Sequence, residues 1–128
     1  MKILFKPQTE WLPPEEFKDL SSYDEIAIDL ETKDPNLKTM GSGSVIGQAK
    51  IVGIALAVEG WSAYYPIAHE GGGNMDRKKV MDYFRIILNY PSKKVFHNAM
   101  YDVCFIRAEG LKINGTIIDT MISGSLVN

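Results

Sequence analysis

The segment Ile26–Thr32 constrains the fold more than any other part of the chain. Apolar and polar residues alternate through it, which predicts a strand with one buried face, because successive side chains of a strand point to opposite sides. Ala27, Asp29 and Glu31 share the face that the large aliphatic residues do not occupy. Two carboxylates therefore lie on one face near the end of an apolar strand, with Cα atoms roughly 6.5–7 Å apart.

These two carboxylates indicate a cation site. Like charges this close are unfavourable unless a positive group compensates them. Hard divalent ions such as Mg²⁺ take oxygen ligands and are held by one or two carboxylates together with substrate phosphates. The alternative is a solvated strand end, with Thr32 and Lys33 beginning a loop, and for two acids on their own that is the commoner case.

Length and composition are those of one globular domain: 128 residues, 45% hydrophobic and 23% charged. A net charge of −2 argues against a generic duplex-DNA binder, but it does not exclude a nuclease whose acidic pocket is neutralised by metal. The basic clusters Arg77–Lys79 and Lys93–Lys94 are expected on solvated surfaces. A single cysteine, Cys104, and the absence of a long apolar run predict a cytoplasmic protein with no membrane partner.

The order of the predicted elements indicates an α/β sheet. Strands are expected at about 25–31, 51–58, 61–67, 94–97 and 117–118, and helices at about 13–20, from Asn74 or Asp76 to Asn89, over 98–109, and from Thr120 to the chain end. Residues 33–49 form a loop long enough to be functional. Three consecutive strands followed by helix, strand, helix and strand give an antiparallel three-stranded part and then a parallel βαβ crossover.

A second acidic site is expected in His97–Asp102. Asn98 is a strong helix N-cap type, and Asp102 lies four residues later on the same face. Ligands of α/β sheets bind at the carboxyl ends of the strands, so Asp102 would meet Asp29 and Glu31 if their strands are neighbours. Alone, Asp102 would be assigned to the helix dipole; beside the Asp-x-Glu pair, it favours a three-carboxylate site.

These motifs, in this order and spacing, resemble the 3′–5′ proofreading exonuclease domain of family A DNA polymerases, within the ribonuclease H-like DEDD exonuclease superfamily. Ile28–Thr32 is similar to the first exonuclease motif and His97–Asp102 to the second. The resemblance runs from about Asp24 to the C-terminus, and the loops near 31–43 and 72–74 look most like those of phage-type polymerases. Other segments that fit are Val52–Ala55, Tyr65–His69 and Ile118–Ile122.

The resemblance implies a ribonuclease H-like mixed sheet and a two-metal mechanism, in which two ions clamp the attacking and leaving oxygens. Asp29, Glu31 and Asp102 would be the catalytic ligands of Mg²⁺ or Mn²⁺. Thr32 would approach the terminal nucleotide of a single-stranded DNA 3′ end, and Asn98 would position Asp102 or touch the substrate. A polymerase segment, in cis or in trans, would be the partner, in a bacterial or phage-infected cell. Asp119 also recurs in the family, and we expect it to be a structural helix cap.

One element of that family is missing. Its third motif, Tyr-x-x-x-Asp or His-x-x-x-x-Asp, supplies a fourth carboxylate, yet no tyrosine here precedes an aspartate by four residues and no acid follows Asp119. We therefore expect residues 1–128 to be an incomplete exonuclease domain, C-terminally truncated or naturally short, and weak or inactive alone. Apolar sheet surface left exposed would favour a homo-oligomer or a partner segment.

Two other functions fit the same residues. The first is a ribonuclease of the same superfamily, against which the phage-polymerase-like loops count. The second is a non-catalytic nucleic-acid-binding or scaffold module with a decayed site. The three intact carboxylates count against decay, because clustered acids without a cation destabilise a fold.

Overall fold

The computed structural model describes residues 17–33, 50–122 and 125–127 of the chain. The strands in this part are β1 (Glu25–Lys33), β2 (Lys50–Val58), β3 (Trp61–Pro66), β4 (Lys93–Phe96), β5 (Ile117–Asp119) and β6 (Ser125–Val127). The helices are α1 (Arg77–Asn89), α2 (Ala99–Ala108) and a 3₁₀ turn at Thr120–Ile122. The predicted loop 33–49 lies almost entirely outside the described residues, as do residues 13–16 of the predicted first helix; residues 17–20 are not helical.

The described strands form one mixed sheet in the order β3-β2-β1-β4-β5-β6. Strands β1, β2 and β3 are antiparallel neighbours, β4 and β5 add in parallel to β1, and β6 is antiparallel to β5. The α/β class and the mixed sheet that the sequence predicts, an antiparallel part followed by a parallel crossover, are therefore confirmed.

The alternation in β1 also holds, because Ile26, Ile28 and Leu30 are buried whereas Asp29 and Glu31 are exposed. The buried side chains of β1 join one hydrophobic cluster with the apolar residues of both α-helices. Both helices therefore cover the same face of the sheet. No described helix covers the opposite face, which carries small side chains at Ala27, Ala55, Ala57 and Val95 in and around two surface concavities.

Helix α1 shows why the local sequence folds as predicted. It begins after Asp76, whose carboxylate accepts a hydrogen bond from the backbone N–H of Lys78 at 3.0 Å, and it ends before Pro91. Asp76, and not Asn74, is therefore the cap. The helix buries a stripe of six side chains, each worth roughly 1.5–3 kcal/mol when fully removed from water: Val80, Met81, Tyr83, Phe84, Ile87 and Leu88.

Helix α2 begins after Asn98, but the expectation that the Asn98 side chain caps it is wrong. Asn98 has a left-handed backbone with φ 69° and makes no side-chain capping bond. The carboxylate of Asp119 instead accepts from the backbone N–H groups of Asn98 (2.9 Å), Ala99 (3.0 Å) and Met121 (2.9 Å). Asp119 therefore caps the helix, as the sequence predicts of it. Gly110, with φ 81°, follows the helix end.

The prediction of a helix from Thr120 onward is also wrong. A single 3₁₀ turn is followed by strand β6, which pairs antiparallel with β5. The edge of β5 offers the backbone of residues 125–127 inter-strand hydrogen bonds, and these residues pair there instead of forming helical bonds.

The basic pair Lys93–Lys94 divides between solvent and core. Lys93 is exposed as expected, but Lys94 is completely buried, so the expectation of a solvated cluster is wrong for it. Its ammonium donates to the backbone carbonyls of Tyr90, Ser92 (2.9 Å) and Asn114 (2.9 Å). These carbonyls belong to the loops that meet at the start of β4, and burying the cation there is possible because all three accept from it.

Candidate functional site

The predicted site lies where two parallel strands separate. The paired residues of β1 and β4 are Glu25–Ala27 and Lys93–Val95, and β4 ends at Phe96. The chain then turns through His97 and Asn98 into α2, while β1 continues to Lys33. The first turn of α2 is therefore placed beside the part of β1 that carries Asp29.

Asp102, in that first turn, is buried with 3% of its surface exposed. Burial, and then the negative charge of Asp29, raise the pKa of its carboxyl to about 7, although a hydrogen bond with the backbone of Leu30 opposes the rise. The Oδ2 atom of Asp102 is buried and has no hydrogen-bond partner. The structure thus brings Asp102 to β1 and into electrostatic contact with Asp29.

Glu31 lies on the same face of β1, but its carboxylate has other neighbours. The hydroxyl of Tyr64 donates to Glu31 Oε1 at 2.8 Å, and His69 Nε2 lies 3.3 Å from the same oxygen. Among the described residues, no three acidic, histidine or cysteine side chains form a ready set of metal ligands. The structure therefore places Asp29 and Asp102 together, with Glu31 directed towards Tyr64.

Thr32 and Asn98, the predicted substrate-binding residues, lie at the two strands that separate, Thr32 near the end of β1 and Asn98 just after β4. The hydroxyl of Thr32 is 2.7 Å from the hydroxyl of Tyr101 in α2. The register of β1 on β2 shifts between Glu31, which pairs with Gly53, and Thr32, which pairs with Ile51. Asn98 is exposed at the start of α2, and its carbonyl accepts from the N–H of Tyr101 at 3.2 Å.

Sequence reasoning missed three residues that contact the predicted ones. Tyr101 lies next to Asp102 within the second motif, so its position was a usable signal. Tyr64 directly precedes the segment Tyr65–His69 that fits the exonuclease family, and His69 ends it, but no local pattern connects either residue to Glu31. Burial, then the hydrogen bond to Glu31 and the charges of Glu31 and Asp29, raise the pKa of the Tyr64 hydroxyl, which therefore stays protonated.

Asp29 also borders a concavity of about 360 Å³ on the uncovered face of the sheet. Its lining includes small apolar residues, namely Ala27, Ala55, Ala57 and Val95. It also includes two polar residues that follow the carboxyl ends of β4 and β5, His97 and Thr120. Self-association or docking of a partner segment through this face stays a prediction.

The carboxylates present fit a hard divalent cation. The Oδ2 atom of Asp102 is buried without a hydrogen-bond partner, and the negative charge of Asp29 acts on the same carboxyl. Oxygen donors of this kind are the ligands that Mg²⁺ and Mn²⁺ prefer. Asp29 and Asp102 are thus the residues best placed to hold such an ion.

These features define an α/β domain with an acidic site at the carboxyl end of its parallel strands. The chain is similar to a DNA-directed DNA polymerase of Pseudomonas phage M6, with 35% identity over 112 residues. The match covers 81% of this chain but 16% of that polymerase, so the chain is related to a small part of it. No protein-family model matches the sequence. In the part of the chain that the structure describes, no helix has both the length and the apolar character needed to cross a membrane.

Proposed function

We propose that the chain is part of a metal-dependent 3′–5′ exonuclease domain of a family A DNA polymerase, with a ribonuclease H-like fold. Its substrate would be the 3′ end of single-stranded DNA, as in proofreading. The observation that carries this proposal is the buried, unpartnered carboxylate oxygen of Asp102 beside Asp29. A buried carboxylate next to a second acid is costly, and a bound cation removes that cost.

The residues of the site divide into two roles. Asp29 and Asp102 would hold the divalent ion, with Glu31 as a further ligand from the same face of β1. Bound there, Mg²⁺ or Mn²⁺ would lower the pKa of a water molecule and stabilise the departing 3′ oxygen. Thr32, fixed by Tyr101, and the exposed Asn98 would position the terminal nucleotide between β1 and α2.

The similarity to a phage DNA polymerase favours DNA over RNA as the substrate, and therefore favours the exonuclease over a ribonuclease of the same superfamily. It also favours a polymerase segment as the partner. The three carboxylates within these 128 residues are one fewer than the four of the family pattern, so we expect the chain alone to cleave slowly or not at all. A non-catalytic scaffold would instead bind no metal at these acids.

Calorimetric titration with Mn²⁺ tests the proposal. We expect saturable binding by the chain, and at least about tenfold weaker binding by Asp29→Asn and Asp102→Asn. Asp82→Asn is the matched control, because Asp82 is exposed on α1 and pairs with Lys78. A 3′-labelled single-stranded oligonucleotide of DNA or RNA then compares the two nuclease functions. Absence of saturable binding, or binding that survives Asp29→Asn unchanged, would overturn the proposal.

A further inference from the structure

The carboxylate of Glu31 is contacted by Tyr64 and His69, which belong to neither of the two exonuclease motifs, and Gly53 makes this possible. Gly53 is the cross-strand partner of Glu31 on β2, and Tyr64 extends over it from β3. A Cβ atom at Gly53 would lie 1.7 Å from the Tyr64 hydroxyl oxygen. Because Gly53 has no side chain, the Tyr64 ring can lie over it and place its hydroxyl next to Glu31.

The hydrogen bonds around Glu31 have one consistent direction. The Tyr64 hydroxyl carries a single proton, which it donates to Glu31 Oε1 at 2.8 Å. His69 Nε2 lies 2.5 Å from the oxygen of the same hydroxyl. Because the hydroxyl proton is directed to Glu31, we expect His69 Nε2 to carry a proton and to donate it to Tyr64. The arrangement is a relay from His69 through Tyr64 to Glu31.

The far end of this relay is fixed to the loop that follows β3. The backbone N–H of His69 donates to the Asn74 side chain at 2.7 Å, and the Asn74 amide donates back to the His69 carbonyl at 2.8 Å. The imidazole meets the Tyr64 ring edge-on, with ring centroids 5.7 Å apart. The position of His69 is thus set by three contacts that are independent of Glu31.

We propose that Tyr64 and His69 are positioning residues that set the orientation of the Glu31 carboxylate at the metal site. This role rests on the proposed function, in which Glu31 is a ligand. Residues that hydrogen-bond a ligating carboxylate fix its geometry, and their loss commonly weakens metal binding by 10- to 100-fold, an order-of-magnitude range. Neither residue would contact the substrate or the reacting atoms.

The first test is the tautomer of His69, measured by ¹⁵N NMR at about pH 8 without metal. The chain has two histidines, so His69→Gln assigns the signals. We expect the Nε2–H form, and we expect Tyr64→Phe to weaken that preference because the acceptor oxygen is removed. A His69 that carries its proton on Nδ1 would overturn the relay, and a merely structural role for Tyr64 would leave the tautomer of the variant unchanged.

The second test is the affinity for Mn²⁺ of Tyr64→Phe, which keeps the ring over Gly53 and removes the hydroxyl. We expect about tenfold weaker binding, with Gly53→Ala changing in the same direction because it displaces the ring. Tyr90→Phe is the matched control, since its hydroxyl also donates to a carboxylate, that of Asp19 at 3.2 Å, away from the site. Wild-type affinity in Tyr64→Phe overturns this inference alone, whereas a wild-type chain that binds no Mn²⁺ overturns the proposed function.

Discussion

The hydroxyl of Tyr101 lies 2.7 Å from the hydroxyl of Thr32, and this hydrogen bond joins helix α2 to strand β1 beside the carboxylates. Each residue belongs to one of the two sequence motifs, and Tyr101 directly precedes Asp102. A contact between the motifs therefore fixes the first turn of α2 relative to the end of β1.

A double-mutant cycle of Thr32→Val and Tyr101→Phe measures this contact. Each hydroxyl is the partner of the other, so the second substitution should cost less once the first is present. We expect a coupling of about 0.5–1.5 kcal/mol in the free energy of unfolding. Urea denaturation at constant m-value supplies the four stabilities, and additive effects would show that the two hydroxyls do not stabilise each other.

Substitution of Asn98 separates its backbone role from its side-chain role. Ala at φ 69° should cost roughly 1–2 kcal/mol in stability, because only glycine and a few polar residues tolerate the left-handed region. Asn98→Gly should keep the wild-type melting temperature and bind 3′-labelled single-stranded DNA about fivefold more weakly, the effect of one lost hydrogen bond of about 1 kcal/mol. Fluorescence anisotropy measures the binding, and unchanged affinity would remove Asn98 from the substrate contacts.

Stability without metal should depend on the ionisation of Asp102. The folded chain holds the Asp102 proton up to about pH 7, whereas an unfolded aspartate releases it near 3.8. The folded state therefore binds more protons in this window, and the free energy of unfolding falls as the pH rises from about 4 to 7. In EDTA at pH 8, Asp102→Asn should be more stable than wild type.

Thermal denaturation across this pH range measures the effect, with Asp82→Asn as the exposed control. Adding Mn²⁺ should raise the melting temperature of wild type and leave that of Asp102→Asn unchanged, because a ligand stabilises only the state that binds it. An Asp102→Asn variant with the same pH slope as wild type would show that Asp102 ionises normally.

Lys94 should be a major determinant of stability. Burial lowers its pKa to about 8, so the ammonium is still present at neutral pH and serves three backbone carbonyls. Lys94→Met leaves these carbonyls without their donor, and we expect a loss of about 2–4 kcal/mol by urea denaturation. Lys93→Met, at the exposed neighbour, should stay within about 0.5 kcal/mol. A loss below about 1 kcal/mol at Lys94 would mean that water replaces the ammonium.

Much of the fold was predictable because it is encoded by local periodicity. The alternation of Ile26, Ile28 and Leu30 with polar residues determines which face of β1 is buried, and the apolar stripe of α1 determines its packing. The pairing of Asp29 with Asp102 was predictable from a general rule, that the ends of neighbouring parallel strands meet at one edge.

The remaining features depend on contacts between distant segments. The relation of Tyr64 to Glu31 requires the register of three strands, and the capping of α2 requires Asp119 from the following strand. Lys94 resembles a surface lysine in sequence because the carbonyls that bind it come from two loops. The strand β6 was missed because its three residues are too few to show a periodic pattern, and because it forms by pairing with the edge of β5.

The short length of β4 has a consequence for how such a site could be lost. Its pairing with β1 involves Glu25–Ala27, and the gap beyond that point is filled by the first turn of α2. An insertion that lengthened β4 would let β4 pair with β1 as far as Asp29 and would displace Asp102 from β1. Every acidic residue would then still be present in the sequence, but the carboxylates would no longer meet. Preservation of the site thus depends on where a neighbouring strand stops, as well as on the acids themselves.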